Sequence, residues 1–239
     1  MAKYLNPDYV HYKNAKVLSV MRELVFGMED GMVSTLGSIT GIAVGSGSHY
    51  IVVLAGLVII AVESISMGVG SYISSLSERD IDLRKIDEEK EEIDKYPGQE
   101  KEELHGLYLK SGWPRELARQ MSEAASQNKK LMLQEMTLHE LRVFRTKTDN
   151  PLSNGLTMLL SYIVGGLVPL FAYFLLPVDL AIKISVPITL LGLFILGALT
   201  TRYSQGSWWR TGLRILVLGG AALLVGYLIG TYVSASLGL

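Results

Sequence analysis

Five stretches of this chain reach the length that a bilayer crossing demands, and no other feature of the sequence restricts the fold as much. A hydrocarbon core of about 30 Å takes about 20 residues of helix. Segments of that length run approximately over Leu24–Val44, Ile51–Ile73, Leu156–Leu176, Asp179–Thr201 and Leu213–Val233. Short polar or Gly/Pro connections follow the first, third and fourth: Gly45–Tyr50, Pro177–Val178 and Arg202–Gly212. The second and third are joined instead by a charged block, because 31 of the 45 charged residues lie between Ser77 and Asn150. The pattern predicts an all-α membrane protein, with five transmembrane helices and a helical, water-exposed domain inserted between helices 2 and 3. It divides the chain into 1–76, 77–150 and 151–239.

Positive charge predicts sidedness. Lys3, Lys13, Lys16 and Arg22 precede helix one, and Arg202, Arg210 and Arg214 flank the fourth connection, whereas Gly45–Tyr50 and Ser234–Leu239 hold no Lys or Arg. The amino terminus, the charged block and the fourth connection are therefore expected in the cytoplasm and the carboxyl terminus across the membrane, with only Lys183 opposed. The first residues lack the apolar run and small-residue cleavage site of a signal peptide. Their compactness points to a prokaryotic plasma membrane rather than a vacuolar one.

Within Ile51–Ile73 the one ionisable side chain is Glu63, close to the midpoint. An ionised group at that depth costs at least ~2.5–3.5 kcal/mol, so such a carboxylate faces a polar path, a partner or an ion. Asp30, Ser34, Gly37 and Gly41 share one face of helix one by their i, i+4, i+7, i+11 spacing, and Gly56, Glu63, Met67, Gly70 and Ser74 share one face of helix two. Small residues let spanning helices approach closely. Counting from a turn near Ser48 at about 1.5 Å per residue places Asp30 at a depth between Glu63 and Met67. Two carboxylates and a thioether then form one layer. A neutral Glu63 that merely bonds a neighbouring helix, and a Met67 that merely fills space, are the plainer alternatives. A desolvated carboxyl group favours its proton and a bound cation displaces it, so the layer suits exchange of a proton for a metal ion.

The charged block alternates helical patterns with breakers. Leu83, Ile86 and Ile93 mark a helix ending at Pro97-Gly98, Leu104, Leu107 and Tyr108 a second ending near Gly112-Trp113-Pro114, and a long third reaches about Thr146. Glu89 and Glu92, like Glu100 and Glu103, are three apart and share a face, and Met132, Met136 and Glu140 are spaced by four. Interspersed Lys85, Lys90, Lys95 and Lys101 make a solvated face the plainer reading of the acidic run taken alone.

Several chemistries are excluded or disfavoured. With no cysteine there are no disulfides or thiolate sites, so any metal is held by oxygen, imidazole or thioether. His139-Glu140 fails the zinc-protease motif because Val143 stands where its second histidine belongs. Glu102 and His105 make one E-x-x-H where a di-iron carboxylate site needs two. No Gly-rich phosphate loop follows a strand. An enzyme, an organic cofactor and a nucleic-acid partner are not expected.

The chain resembles the vacuolar iron transporter family over nearly its whole length. The resemblance rests on FGMEDGMVST around Asp30, SISMGVGSYISSLSERD at Ser64–Asp80, SYIVGGLVPLFAYFLLP at Ser161–Pro177, ITLLGLFILGA at Ile188–Ala198 and GGAALLVGYLIG at Gly219–Gly230. It implies a homodimer in the lipid bilayer, five spanning helices per subunit with an elongated first helix, and a cytoplasmic three-helix domain that binds metal. It implies export of ferrous iron, or of manganese, zinc or cobalt, in exchange for protons. Asp30 and Met67 match the family's path, with Glu63 beside them. Glu89, Glu92, Glu100, Glu103, Met136 and Glu140 match its cytoplasmic metal ligands, which turns the reading of the acidic run from solvated face to site. Two positions depart: Ile59 stands where plant members carry an intramembrane glutamate, and Thr137 replaces a methionine beside Met136. A membrane-anchored metal buffer or sensor is the alternative function.

Overall fold

A computed structural model describes residues 15–141, 150–204 and 206–237. Among them every regular element is a helix: α1 (Ala15–Ser46), α2 (His49–Lys95), α3 (Pro97–Lys110), α4 (Arg115–Ser126), α5 (Lys129–His139), α6 (Pro151–Leu175), α7 (Val178–Ser204) and α8 (Trp208–Leu237). The chain divides into two compact units, Met1–Ile73 with Asn150–Leu239, and Ser74–Asp149.

Four of the described helices are long and apolar enough to cross a membrane: α2, α6, α7 and α8. The fifth expected span, α1, has the length but is not among them. Its packing supplies the reason. Met32, Leu36, Ile39 and Ala43 are buried, and α1 packs along α6, α7 and α8. A helix enclosed by others need not present apolar side chains to lipid, so glycine, serine and acidic residues are tolerated in it. The outer helices show the reverse: Leu156, Leu160, Val164 and Phe171 of α6 and Val217, Leu224, Leu228 and Ile229 of α8 are exposed. Exposed apolar faces of that extent belong against acyl chains rather than water.

Glycine sets how closely α1 is held. A methyl group on Gly41 would lie 2.6 Å from the carbonyl oxygen of Gly226. One on Gly226 would strike the carbonyl of Gly37, so α1 and α8 meet backbone to backbone. Gly226→Ala therefore forces two helices apart and is expected to cost about 1–3 kcal/mol, the scale of overpacking. Gly220, six residues earlier, faces open space, and Gly220→Ala is expected to leave stability unchanged or raise it, since alanine favours a helix over glycine. Thermal unfolding of the two variants in detergent separates these outcomes.

On α2 the close approach differs from the expected one at Gly70. Gly70 faces open space, whereas a methyl on Gly68 would lie 2.8 Å from Leu159 Cβ and 3.0 Å from the Gly155 carbonyl oxygen. Gly56, on the expected face, also meets α6, since a methyl there would lie 2.5 Å from Leu170 Cδ1, so Gly56 and Gly68 bring α2 onto α6 while Gly70 does not. The α1–α2 turn is as short as expected: Gly47 takes φ +59, a left-handed conformation open to glycine without penalty, and its N–H closes α1 on the Ala43 carbonyl at 3.0 Å.

In the unit Ser74–Asp149 two boundaries move. No separate helix begins near Leu83, because α2 runs unbroken for 47 residues. At about 1.5 Å per residue that is more than twice a bilayer core, and the part from Ser77 onward is too charged to lie in one. The long third helix is instead two, α4 and α5, since the Asn128 side chain accepts from the N–H groups of Lys130 and Leu131 and starts a new helix. The expected end near Thr146 lies outside the described residues. Ile93, Leu104, Tyr108, Ala118, Ala125, Met132 and Met136 form this unit's core, and the Tyr108 hydroxyl donates to Glu135 Oε2 at 2.8 Å, tying α3 to α5.

Candidate metal centres

Two acidic centres emerge, one in each unit. In the first, α1, α2 and α6 converge on Glu63. Ser34 Oγ donates to Glu63 Oε2 at 2.8 Å, and the Tyr162 hydroxyl, on α6, donates to the same oxygen. Glu63 is half-buried and turned toward α1 and α6 while its neighbours Val62 and Ile65 are exposed. Asp30 lies within electrostatic reach of Glu63 and is half-buried, as is Met67 one turn beyond Glu63.

Register between α1 and α2 is fixed at two points, Ser34 with Glu63 and Glu23 with Ser71. Asp30 falls between the two contacts, nearer the first, so its level on α2 lies between Glu63 and Met67. Ser34 also lines a groove of about 700 Å³ between α1 and α8, bordered by Ser38, Ser46, Val225 and Ile229 among others. Ser34 is thus shared between the Glu63 contact and this groove, whose lining is mostly apolar.

The second centre joins the charged end of α2, the start of α3 and the end of α5. One carboxylate oxygen each from Glu89, Glu100 and Glu140 lie within 4.8 Å of one another. Glu89 and Glu100 are buried, at 3% and 5% exposure. Glu89 Oε1, Glu100 Oε2 and Glu140 Oε2 are shielded from solvent with no hydrogen-bond partner among the described residues. Buried oxygens without donors are costly, and three together need protons or a cation. Burial first, and then the carboxylates of Glu140 and Glu100, push the Glu89 carboxyl up to about 8. Glu100 and Glu140 are raised as well, each by burial and then by the charge of Glu103.

Of the six residues expected here, the structure gathers Glu89, Glu100 and Glu140. Glu92 and Glu103 are exposed and act on the cluster through their charge. Met136, one turn before Glu140, is fully buried in the unit's core.

The sequence profile of the VIT family matches residues 21–231. The chain belongs to the VIT family. Vacuolar iron transporter 2 of Oryza sativa subsp. japonica is 30% identical over 204 residues, covering 85% of this chain and 83% of that protein. A vacuolar iron transporter of Plasmodium falciparum (isolate 3D7) is 30% identical over 223 residues, covering 88% and 81%. Vacuolar iron transporter 1 of Arabidopsis thaliana is 28% identical over 216 residues, covering 90% and 86%. VIT membership together with helices of spanning length makes the chain an integral membrane protein.

The VIT match also takes in residues that sequence reasoning passed over. Glu23 is 5% exposed. Its Oε2 accepts from Ser71 Oγ at 2.8 Å, and its Oε1 from Arg22 Nη2 at 2.8 Å and Nε at 3.1 Å. The signal was available, since Glu23 precedes Asp30 by seven residues and shares its face. Tyr162 gave no such signal, because a tyrosine in an apolar helix is ordinary and its partner lies 99 residues away.

Proposed function

We propose that this VIT-family chain is a transporter, not an enzyme, that carries ferrous iron out of the cytosol in exchange for protons. Manganese, zinc and cobalt are the other candidate substrates. The observation that carries the reading is the Glu63 carboxylate, held at the middle of an apolar helix by two hydroxyl donors, with Asp30 in electrostatic reach and Met67 one turn away. Carboxylate oxygens with one thioether favour an intermediate divalent ion over calcium or magnesium.

In this reading α1 is a fifth span, shielded from lipid by its neighbours, and the Ser74–Asp149 unit lies in the cytoplasm on the side marked by the basic residues. Glu89, Glu100 and Glu140, with Met136, Glu92 and Glu103, concentrate metal for delivery to Asp30, Glu63 and Met67. Loss of a proton from each carboxylate accompanies capture and its return accompanies release, which couples flux to a pH difference. The functional unit is a homodimer in a prokaryotic plasma membrane.

Purified protein in liposomes tests this by competitive uptake of iron, manganese, zinc and cobalt at two internal pH values. Metal flux with opposing proton movement is expected. Equal flux with no proton movement removes the exchange, and no flux removes transport. In that last case the acidic cluster, which stands within its own unit, favours a membrane-anchored metal buffer or sensor, recognised by metal binding without flux.

A further inference from the structure

Both hydroxyl donors at Glu63 end on one oxygen. Ser34 and Tyr162 donate to Oε2, while Oε1 takes no hydrogen bond among the described residues. A carboxylate oxygen has two lone-pair directions, and two donors occupy both. The geometry is built in from α1 and α6 rather than left to a mobile side chain. Tyr162 is fully buried. A methyl on Gly31 would strike its carbonyl oxygen, so α6 reaches this depth only because position 31 has no side chain.

We propose that Tyr162 and Ser34 are positioning residues that restrict Glu63 to one-oxygen coordination through Oε1 and thereby select against calcium. The inference rests on the transport reading. Calcium takes 6–8 oxygen ligands and readily accepts both oxygens of a carboxylate. A site that withholds one of Glu63's two oxygens and offers a thioether alongside supplies fewer of the oxygen contacts calcium takes, whereas a smaller transition ion needs fewer contacts. Tyr162 and Ser34 touch Glu63 and not the ion, so their effect falls on which ion is accepted.

The test uses the full chain in liposomes, with iron or manganese flux measured against calcium as competitor, for wild type, Tyr162→Phe, Ser34→Ala and the double variant. Tyr162→Phe keeps the ring and Ser34→Ala is small, so at least one single variant is expected to fold. Transition-metal flux in the absence of calcium is expected to fall, since both groups hold Glu63, while inhibition by calcium strengthens relative to it by about tenfold, the scale set by one hydrogen bond to a charged group, and most in the double variant. A uniform fall for all metals with calcium discrimination intact shows a structural role only and overturns the inference, as does no change. Wild-type protein that moves no metal removes the transport reading itself, so the two failures are distinguishable. Infrared difference spectra on adding manganese give a readout apart from flux. The Glu63 carboxylate bands, assigned by their absence in Glu63→Gln, are expected at one-oxygen splitting in wild type and two-oxygen splitting in the double variant. Identical splitting in both contradicts the inference.

Discussion

Replacing Glu63 or Asp30 by alanine is expected to abolish divalent-metal flux while the protein still inserts. Insertion is not the weak point, because removing a carboxylate from mid-membrane depth lowers the insertion cost by ~2.5–3.5 kcal/mol or more. Alanine at 63 does leave the buried Tyr162 hydroxyl without its acceptor, which costs about 1–3 kcal/mol. Glu63→Gln is the gentler variant, since its amide oxygen still accepts from Ser34 and Tyr162 but carries no charge for a cation. Flux through Glu63→Gln is expected to fall on the order of a hundredfold or more, beyond the loss typical of residues that only support a ligand. The measurement is initial uptake of iron or manganese into liposomes, with variants matched for incorporated protein. Wild-type rates in both Glu63→Gln and Asp30→Ala refute the path.

The second large effect belongs to the acidic cluster and is offset by metal. Glu89 loses its proton near 4.5 in the unfolded chain and at about 8 in the folded one. Its neutral form therefore contributes stability that is complete below about 4.5 and is lost as pH rises to about 8. Glu100 and Glu140 shift in the same direction. Metal-free protein is expected to show a falling unfolding midpoint over that window. A divalent ion, which needs deprotonated ligands, is expected to restore the midpoint most strongly at the alkaline end. Combined Glu89→Gln, Glu100→Gln and Glu140→Gln removes the crowded charges, so the metal-free midpoint becomes nearly independent of pH and exceeds wild type at pH 8. Added manganese then has no effect. The changes amount to several degrees, on the scale of about 2–4 °C per kcal/mol for a chain of this length. Calorimetry in detergent at two pH values, with and without manganese, reads all four outcomes. A variant that manganese stabilises like wild type places the ion elsewhere.

Features written in local sequence were legible. Apolar runs located α2, α6, α7 and α8, since length and hydropathy need no tertiary information. The level of Asp30 relative to Glu63 and Met67 followed from counting along two helices joined by a tight turn. Features that depend on distant partners were not legible. Of the two glycines on the expected face of α2, Gly56 meets Leu170 of α6 but Gly70 faces open space, and the contact of Gly68 with Leu159 and Gly155 depends on a helix rotation set by those distant partners. The break at Asn128 was hidden because its flanks both carry helical residues and only its capping bonds separate α4 from α5. Glu89, Glu100 and Glu140 come from three separate stretches, and spacing within each gave candidates without saying that Glu92 and Glu103 would remain outside the cluster. The Tyr162 and Ser34 bonds to Glu63 lay beyond reach for the same reason.

The claim at the centre is that a divalent ion rests between α1 and α2 at the level of Asp30, Glu63 and Met67. An anomalous difference map from crystals grown anaerobically with ferrous iron, or with manganese, addresses it directly. A peak bounded by the Asp30 carboxylate, Glu63 Oε1 and the Met67 sulfur is the expected result, lost in Glu63→Gln and independent of any peak at Glu89, Glu100 and Glu140. Flux-competent protein with metal at the acidic cluster and none at Glu63 contradicts it.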